Sequence, residues 1–181
     1  MKKEIKIKDQ DFCITSLKES DLNRILNLTK NIENEMRKKG KSHFLLHRDK
    51  QYFVDILQNP NDIVCGVFHK DVLIGKACYH RLQTKEEIER RYPKSDYDFS
   101  GFSVGVFSSV CIVEEFRGLG LLGYMDDFIQ SCENFDYSIA TAKVDNIPSL
   151  HAFAKKKYKV LKQVISPVDN EEICLLIRKN N

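Results

Sequence analysis

The stretch that decides the fold is Ile112-Val113-Glu114-Glu115-Phe116-Arg117-Gly118-Leu119-Gly120-Leu121-Leu122-Gly123. It closes a β-type run, 102–113 (FSVGVFSSVCIV). It also opens an amphipathic pattern over 119–133, in which Leu121, Leu122, Met125, Phe128, Ile129 and Cys132 share one face. A strand that turns through glycines into a helix leaves the first helical N–H groups without intrahelical partners. The helix dipole adds partial positive charge at the same place, so the turn reads as an anion site. Gly118 and Gly120 let a phosphate approach the main chain closely, and Arg117 places a cation at the entrance. The implied ligand carries a phosphate or a pyrophosphate.

Gly118-x-Gly120-x-x-Gly123 also matches the dinucleotide fingerprint. That fingerprint opens a parallel unit that needs further β/α repeats. Here one more helix follows, and the strands upstream form an antiparallel hairpin. Those strands are 63–68 (IVCGVF) and 72–80 (VLIGKACYH), joined at His69–Lys70–Asp71. Before them, Phe12–Leu17 reads as a strand. Ser20 and Asp21 offer an N-cap for a helix over 21–37, with Leu22, Ile25, Leu26, Ile32 and Met36 at helical spacing. Tyr52, Phe53, Ile56 and Leu57 face one way on a short second helix that ends before Asn59–Pro60. Residues 1–10 are polar and read as frayed. Residues 82–99 read as a loop with a helical turn at 84–91, and Gly105 or Ser108–Ser109 as a bend in the long strand. Downstream come a strand at 137–144, a helix from Pro148 to about Lys156, and strands at 158–166 and 172–178. The expected fold class is α/β (α+β): one domain over 11–181, a mixed and mostly antiparallel sheet of about six or seven strands, with helices on both faces.

Composition bounds the function classes. The chain has 181 residues, with 29 Lys or Arg against 26 Asp or Glu, a net charge of +3. That balance argues against a nucleic-acid partner. The composition excludes disordered and disulfide-scaffold classes. The six cysteines (13, 65, 78, 111, 132, 174) show no CxxC and no zinc spacing, so they read as reduced thiols and no metal is expected. The start, MKKEIKIKDQD, is too charged for a signal-peptide core, and no apolar run reaches membrane-spanning length. The expectation is a cytoplasmic protein without a membrane partner, a monomer or homodimer.

Arg117-x-x-Gly120-x-Leu122 resembles motif A of the GNAT superfamily of acetyl-CoA-dependent N-acetyltransferases, whose pattern is Arg/Gln-x-x-Gly-x-Gly/Ala. Leu122 stands where Gly or Ala is usual. Val144-Asp145-Asn146-Ile147-Pro148-Ser149, followed by Phe153 and Lys157-Tyr158, looks like the family's Asn-x-x-Ser/Ala helix leading to a Gly-Phe pair, with Lys157-Tyr158 in its place. The element order matches over about 11–180.

The resemblance implies acetyl-CoA as co-substrate. The main chain of Ile112 and Val113 would pair with the pantetheine arm. Arg117, Gly118, Leu119, Gly120, Leu121 and Leu122 would hold the pyrophosphate. Asn146, with Ser149 beside it, would reach the pantetheine or phosphate region; helix capping alone is the other reading of this pair. Lys155, Lys156 and Lys157 read either as neighbours of the 3′-phosphate or as a solvated face. The implied reaction is acetyl transfer to a primary amine of a small molecule or peptide; the alternative is a non-catalytic CoA-binding module. Where relatives carry a Glu or His before the motif, this sequence has Val104, Val106 and Ser108, and Phe153 stands where many carry a Tyr acid. Substitute catalytic candidates are Ser108 and His80, then Tyr79, His151, or a water held by Glu114 or Glu115. The acceptor would meet 37–48, with His43, Phe44 and His47, and 82–102, where Tyr92, Asp96, Tyr97 and Asp98 suit a cationic amine and 99–102 an apolar wall.

Overall fold

A computed structural model describes residues 2–41, 47–84, 86–88, 98–166 and 169–180. The elements are β1 (Lys2–Ile7), β2 (Gln10–Ser16), α1 (Leu22–Lys38), α2 (Lys50–Gln58), β3 (Asp62–His69), β4 (Val72–Leu82), β5 (Val104–Ile112), α3 (Leu121–Cys132), β6 (Tyr137–Lys143), α4 (Ile147–Lys155), β7 (Lys159–Ile165) and β8 (Glu172–Lys179). The strands hydrogen-bond in the order β1-β2-β3-β4-β5-β6-β8-β7. The mixed, mostly antiparallel α/β class is as expected, with eight strands rather than six or seven.

The additional strand is β1, which falls where the sequence reads as frayed. It pairs antiparallel with β2 from Lys2↔Thr15 to Ile7↔Gln10. Only Ile5 and Ile7 alternate toward partial burial, and lysines occupy much of the rest. That composition suits an edge strand, where charge blocks further pairing, and it carries almost no hydrophobic signal. The β1–β2 turn has φ 47 at Lys8 and 62 at Asp9; the β3–β4 turn has φ 47 at Lys70 and 64 at Asp71. Both are two-residue hairpin turns with two left-handed residues, and both use the dipeptide Lys-Asp in place of the preferred Asn-Gly.

The chain divides into two compact units: Met1–Tyr79 with Ser109–Glu133, and His80–Ser108 with Asn134–Asn181. In the first, Ile25, Leu28 and Ile32 of α1 and Phe53 and Ile56 of α2 pack with Leu17, Val64, Leu73 and Cys78. The Asp49 side chain caps α2 by accepting from the Tyr52 N–H at 2.8 Å. Helix α3 packs on β2 and β3. Cys65 lies next to Val64 in β3 and so points to the opposite face, where it senses Cys132 of α3. Helices therefore cover both faces of this part of the sheet. On α3 the expected face is buried at Leu121, Leu122, Met125, Phe128 and Ile129; Asp126 joins it, and Cys132 is only partly covered.

In the second unit, Leu82, Phe99, Val104, Val106, Tyr137, Ile139, Leu175 and Ile177 form the core. Strands β5 and β6 run parallel from Val104↔Tyr137 to Phe107↔Ala140. Gly105 is regular within that ladder, so it is not the bend. The turn at Thr84 is a capping box: the Glu87 N–H donates to Thr84 Oγ1 at 3.2 Å, and the Thr84 N–H donates to Glu87 Oε2 at 3.3 Å. The six cysteines are free thiols.

Candidate functional site

The motif turn lies in the first unit. After β5 a single 3-10 turn, Glu114–Phe116, leads into Arg117, and α3 begins at Leu121. Gly118 and Gly120 both take φ +78, and a Cβ at either would meet nothing within 4 Å. Glycine is therefore needed for the backbone angle, not for lack of room. The Arg117 N–H donates to the Glu114 carbonyl, and the Gly123 and Tyr124 N–H groups turn back to the Gly120 carbonyl. Between them, the N–H groups of Gly118, Leu119, Gly120, Leu121 and Leu122 have no acceptor among the described residues. Five consecutive unpaired donors on a left-handed turn beside a helix N-terminus are an arrangement chemically suited to an anion. Leu121 and Leu122 are buried, so their side chains anchor the end of the turn in the core.

Arg117 does something other than the sequence implies. Its Nε donates to the Ile112 carbonyl at 2.8 Å, and its Nη1 and Nη2 donate to Glu35 Oε1 and Oε2 at 2.8 and 3.2 Å. The guanidinium is a brace between α1 and the turn, with its charge already balanced. Lys39, the C-cap of α1, extends the brace by pairing with Glu114. The hydrogen bond and charge of Lys39 hold the Glu114 carboxyl below its usual range, so Glu114 makes a poor base for a water relay. Nothing local in the sequence reveals Glu35 or Lys39, because their partners lie far along the chain.

The Val113 main chain is engaged within the protein: its N–H donates to the Ile74 carbonyl at 2.9 Å, and its carbonyl accepts from the Phe116 N–H at 3.0 Å. The Ile112 carbonyl has taken one bond, from Arg117, and a carbonyl accepts two.

The second unit holds the Asn-x-x-Ser helix. Asn146 is the N-cap of α4, with Oδ1 accepting from the Ser149 N–H at 3.3 Å, and Pro148 occupies the first turn. The capping reading of this pair is therefore realised. Its Nδ2 amide has no partner among the described residues and remains able to donate. Lys157 takes φ 64, so it adopts the left-handed conformation that a glycine in its place would supply. Phe153 is 3% exposed and meets Phe107 and Tyr158 edge-on at 5.9 and 5.1 Å. Its place is a packing position.

The catalytic candidates are scattered in character. His80 is 5% exposed, Ser108 is half-buried on the face of Val104 and Val106, and both make contacts within the chain. Tyr79 is buried, and its hydroxyl accepts from Gln130 Nε2 at 3.2 Å. His151, Glu115 and Lys155 are exposed. On the acceptor side, His47 pairs with Glu33, and Asp98 accepts from the Ser100 N–H. His43, Phe44, Tyr92, Asp96 and Tyr97 lie outside the described residues. Among the described residues no group of His, Cys, Asp or Glu is arranged to hold a metal ion, and no helix is long and apolar enough to cross a membrane.

Taken together, this strand order and motif turn are those of the GNAT acetyltransferase fold. A GNAT-family acetyltransferase from Streptococcus agalactiae matches with a TM-score of 0.75 at 15% identity, over 97% of this chain and 98% of that one. Arabidopsis thaliana NAA60, solved with acetyl-CoA, matches with a TM-score of 0.69 at 14% identity, over 93% and 98%. The aminoglycoside N(6′)-acetyltransferase from Legionella pneumophila matches with a TM-score of 0.63 at 12% identity, over 93% and 91%. No protein-family model matches the sequence, and no curated protein matches it by sequence.

Proposed function

We propose that the protein is an acetyl-CoA-dependent N-acetyltransferase acting on a primary amine of a small molecule or peptide. The observation that carries this reading is the run of five unpaired N–H groups from Gly118 to Leu122, presented on glycines with φ +78, in a fold whose solved examples include acetyl-CoA complexes. These donors would hold the pyrophosphate without help from the Arg117 guanidinium. The Ile112 carbonyl, with its second lone pair, is the main-chain group that would meet a pantetheine amide. Acetyl-CoA supplies the activated acetyl thioester. A neutral amine adds to the acetyl carbonyl, the C–S bond breaks, and the thiolate takes up a proton. Phe153 has no proton to give, so the acid is another group or water.

Phe153 also supports a second reading, a CoA-binding module without turnover. Calorimetry with acetyl-CoA and an amine panel scored by released thiol separate the two. Tight binding with amine-dependent thiol release is expected. Binding without release across the panel would favour the module. Absence of binding, or undiminished binding in Gly120→Glu, would overturn both.

A further inference from the structure

Lys76 is a lone cation in the apolar strand β4, 2% exposed. Its Nζ donates to the Ser109 carbonyl at 3.0 Å and sits 4.7 Å from the centre of the Phe53 ring. An ammonium has three protons to donate, and among the described residues this one places a single hydrogen bond. Arg48 stacks its guanidinium 4.4 Å over the Tyr52 ring, and its Nε is buried with no hydrogen-bond partner. The Tyr52 hydroxyl lies 3.1 Å from Ser109 Oγ, so one chain of contacts runs Arg48–Tyr52–Ser109–Lys76. Ser109 is held at φ 48 within β5, a strained angle for serine that both of its partners help to fix.

Two cations thus share one cluster, and among the described residues no carboxylate lies within ion-pair distance of either. The adjacent Cys78 thiol does not balance them. Burial pushes Cys78 up to about 11, so it is uncharged near neutrality. Uncompensated buried charge is unfavourable unless a counter-ion arrives. Ser109 stands three residues before Ile112 on the same strand, roughly 10 Å along it.

We propose that Arg48 and Lys76 form a receptor for a carboxylate on the acceptor, so that the acetylated amine belongs to a molecule that also carries an acid group, such as an amino acid. The inference rests on the acetyltransferase reading for the identity of the ligand, but not for the anion site itself. The planar fork of Arg48 suits two-point binding of a carboxylate, and Lys76 adds a point charge beneath it.

Two readouts test it. In the first, thermal unfolding of the intact protein is followed with N-acetyl amino acids and, separately, with their uncharged N-acetyl amides. Stabilisation by the carboxylates alone is expected, lost in Arg48→Met and in Lys76→Met. In the second, thiol release is measured with amino acids and with their amides as acceptors. A KM at least about tenfold lower for the acids is expected, with Arg48→Met removing the preference. Arg48 is only partly buried, so its variant should fold even if Lys76→Met does not. Carboxylate-specific stabilisation without turnover would uphold the anion site while the transfer reading fails. Turnover that ignores the acid group, or equal stabilisation by the neutral amides, would overturn this inference and leave acetyl transfer standing.

Discussion

Arg117 and Glu35 meet fork to fork, with Nη1 and Nη2 at 2.8 and 3.2 Å from the two carboxylate oxygens. The pair ties the turn after β5 to α1, and it converts the cation that the sequence offers to a phosphate into a mechanical support. If the turn holds a phosphate, as proposed above, the main-chain N–H groups from Gly118 to Leu122 are what remain to bind it. The pair is partly solvent-exposed, at 37% for the Arg117 side chain, so its energetic contribution is that of a surface bridge with good geometry.

Glu35→Gln should therefore cost about 1 kcal/mol or less of stability. It should weaken acetyl-CoA binding several-fold by loosening the turn. Denaturant unfolding and calorimetry read the two effects. Tighter binding in the variant would mean that Arg117, once released, serves the phosphate after all.

Gly118→Ala and Gly120→Ala should each destabilise the protein by about 1–2 kcal/mol, the cost of a Cβ in a left-handed residue. The space around both positions is open, so no steric term should add to this. Denaturant unfolding midpoints are the measurement, and losses well above this range would point to an unseen contact.

Lys157→Gly should move stability the other way. Lys157 closes α4 at φ 64, where the Lys156, Lys157 and Tyr158 N–H groups return to carbonyls at Phe153 and Ala154. Glycine adopts this angle freely, so a gain of about 1 kcal/mol is expected, less whatever glycine adds to the freedom of the unfolded chain. A rise in the thermal midpoint of a few degrees would register it.

Acid sensitivity should trace in part to Asp136. Its carboxylate accepts from the Ser103 N–H and from Ser103 Oγ, both at 2.7 Å, and these bonds hold it below the usual aspartate range. A depressed carboxylate stabilises the fold above its unfolded value, about 3.9, and loses that contribution as pH falls through the folded value. Asp136→Asn should therefore be less stable than the parent at neutral pH, with the gap closing below about pH 4. A pH series of thermal midpoints follows it, and a gap independent of pH would refute the ionic origin.

Most of the framework was legible because it rests on near neighbours in the chain. Ile25 and Ile32, Phe53 and Ile56, and the face of α3 announce helices by their spacing. Asn146 three residues before Ser149 announces a cap, and glycines between a strand and an amphipathic run announce the turn at Gly118–Gly120. β1 was illegible because an edge strand is recognised by its partner, and half of its own residues are lysine, with only two isoleucines.

The sequence by itself determined the order of the elements from β2 onward, the placement of the glycine turn and Asn146 as the cap of α4. Each of these follows from local sterics and from hydrogen bonds between residues a few positions apart. Only the tertiary structure decided that Arg117 braces against Glu35 instead of facing solvent, and that Val113 is already bonded to Ile74 while Ile112 keeps a lone pair. It also decided that Lys76 and Arg48 converge on Ser109 and Tyr52. The physical reason is that charges and hydrogen-bonding groups act over a few ångströms of space, and which groups come that close is set by how distant strands and helices pack.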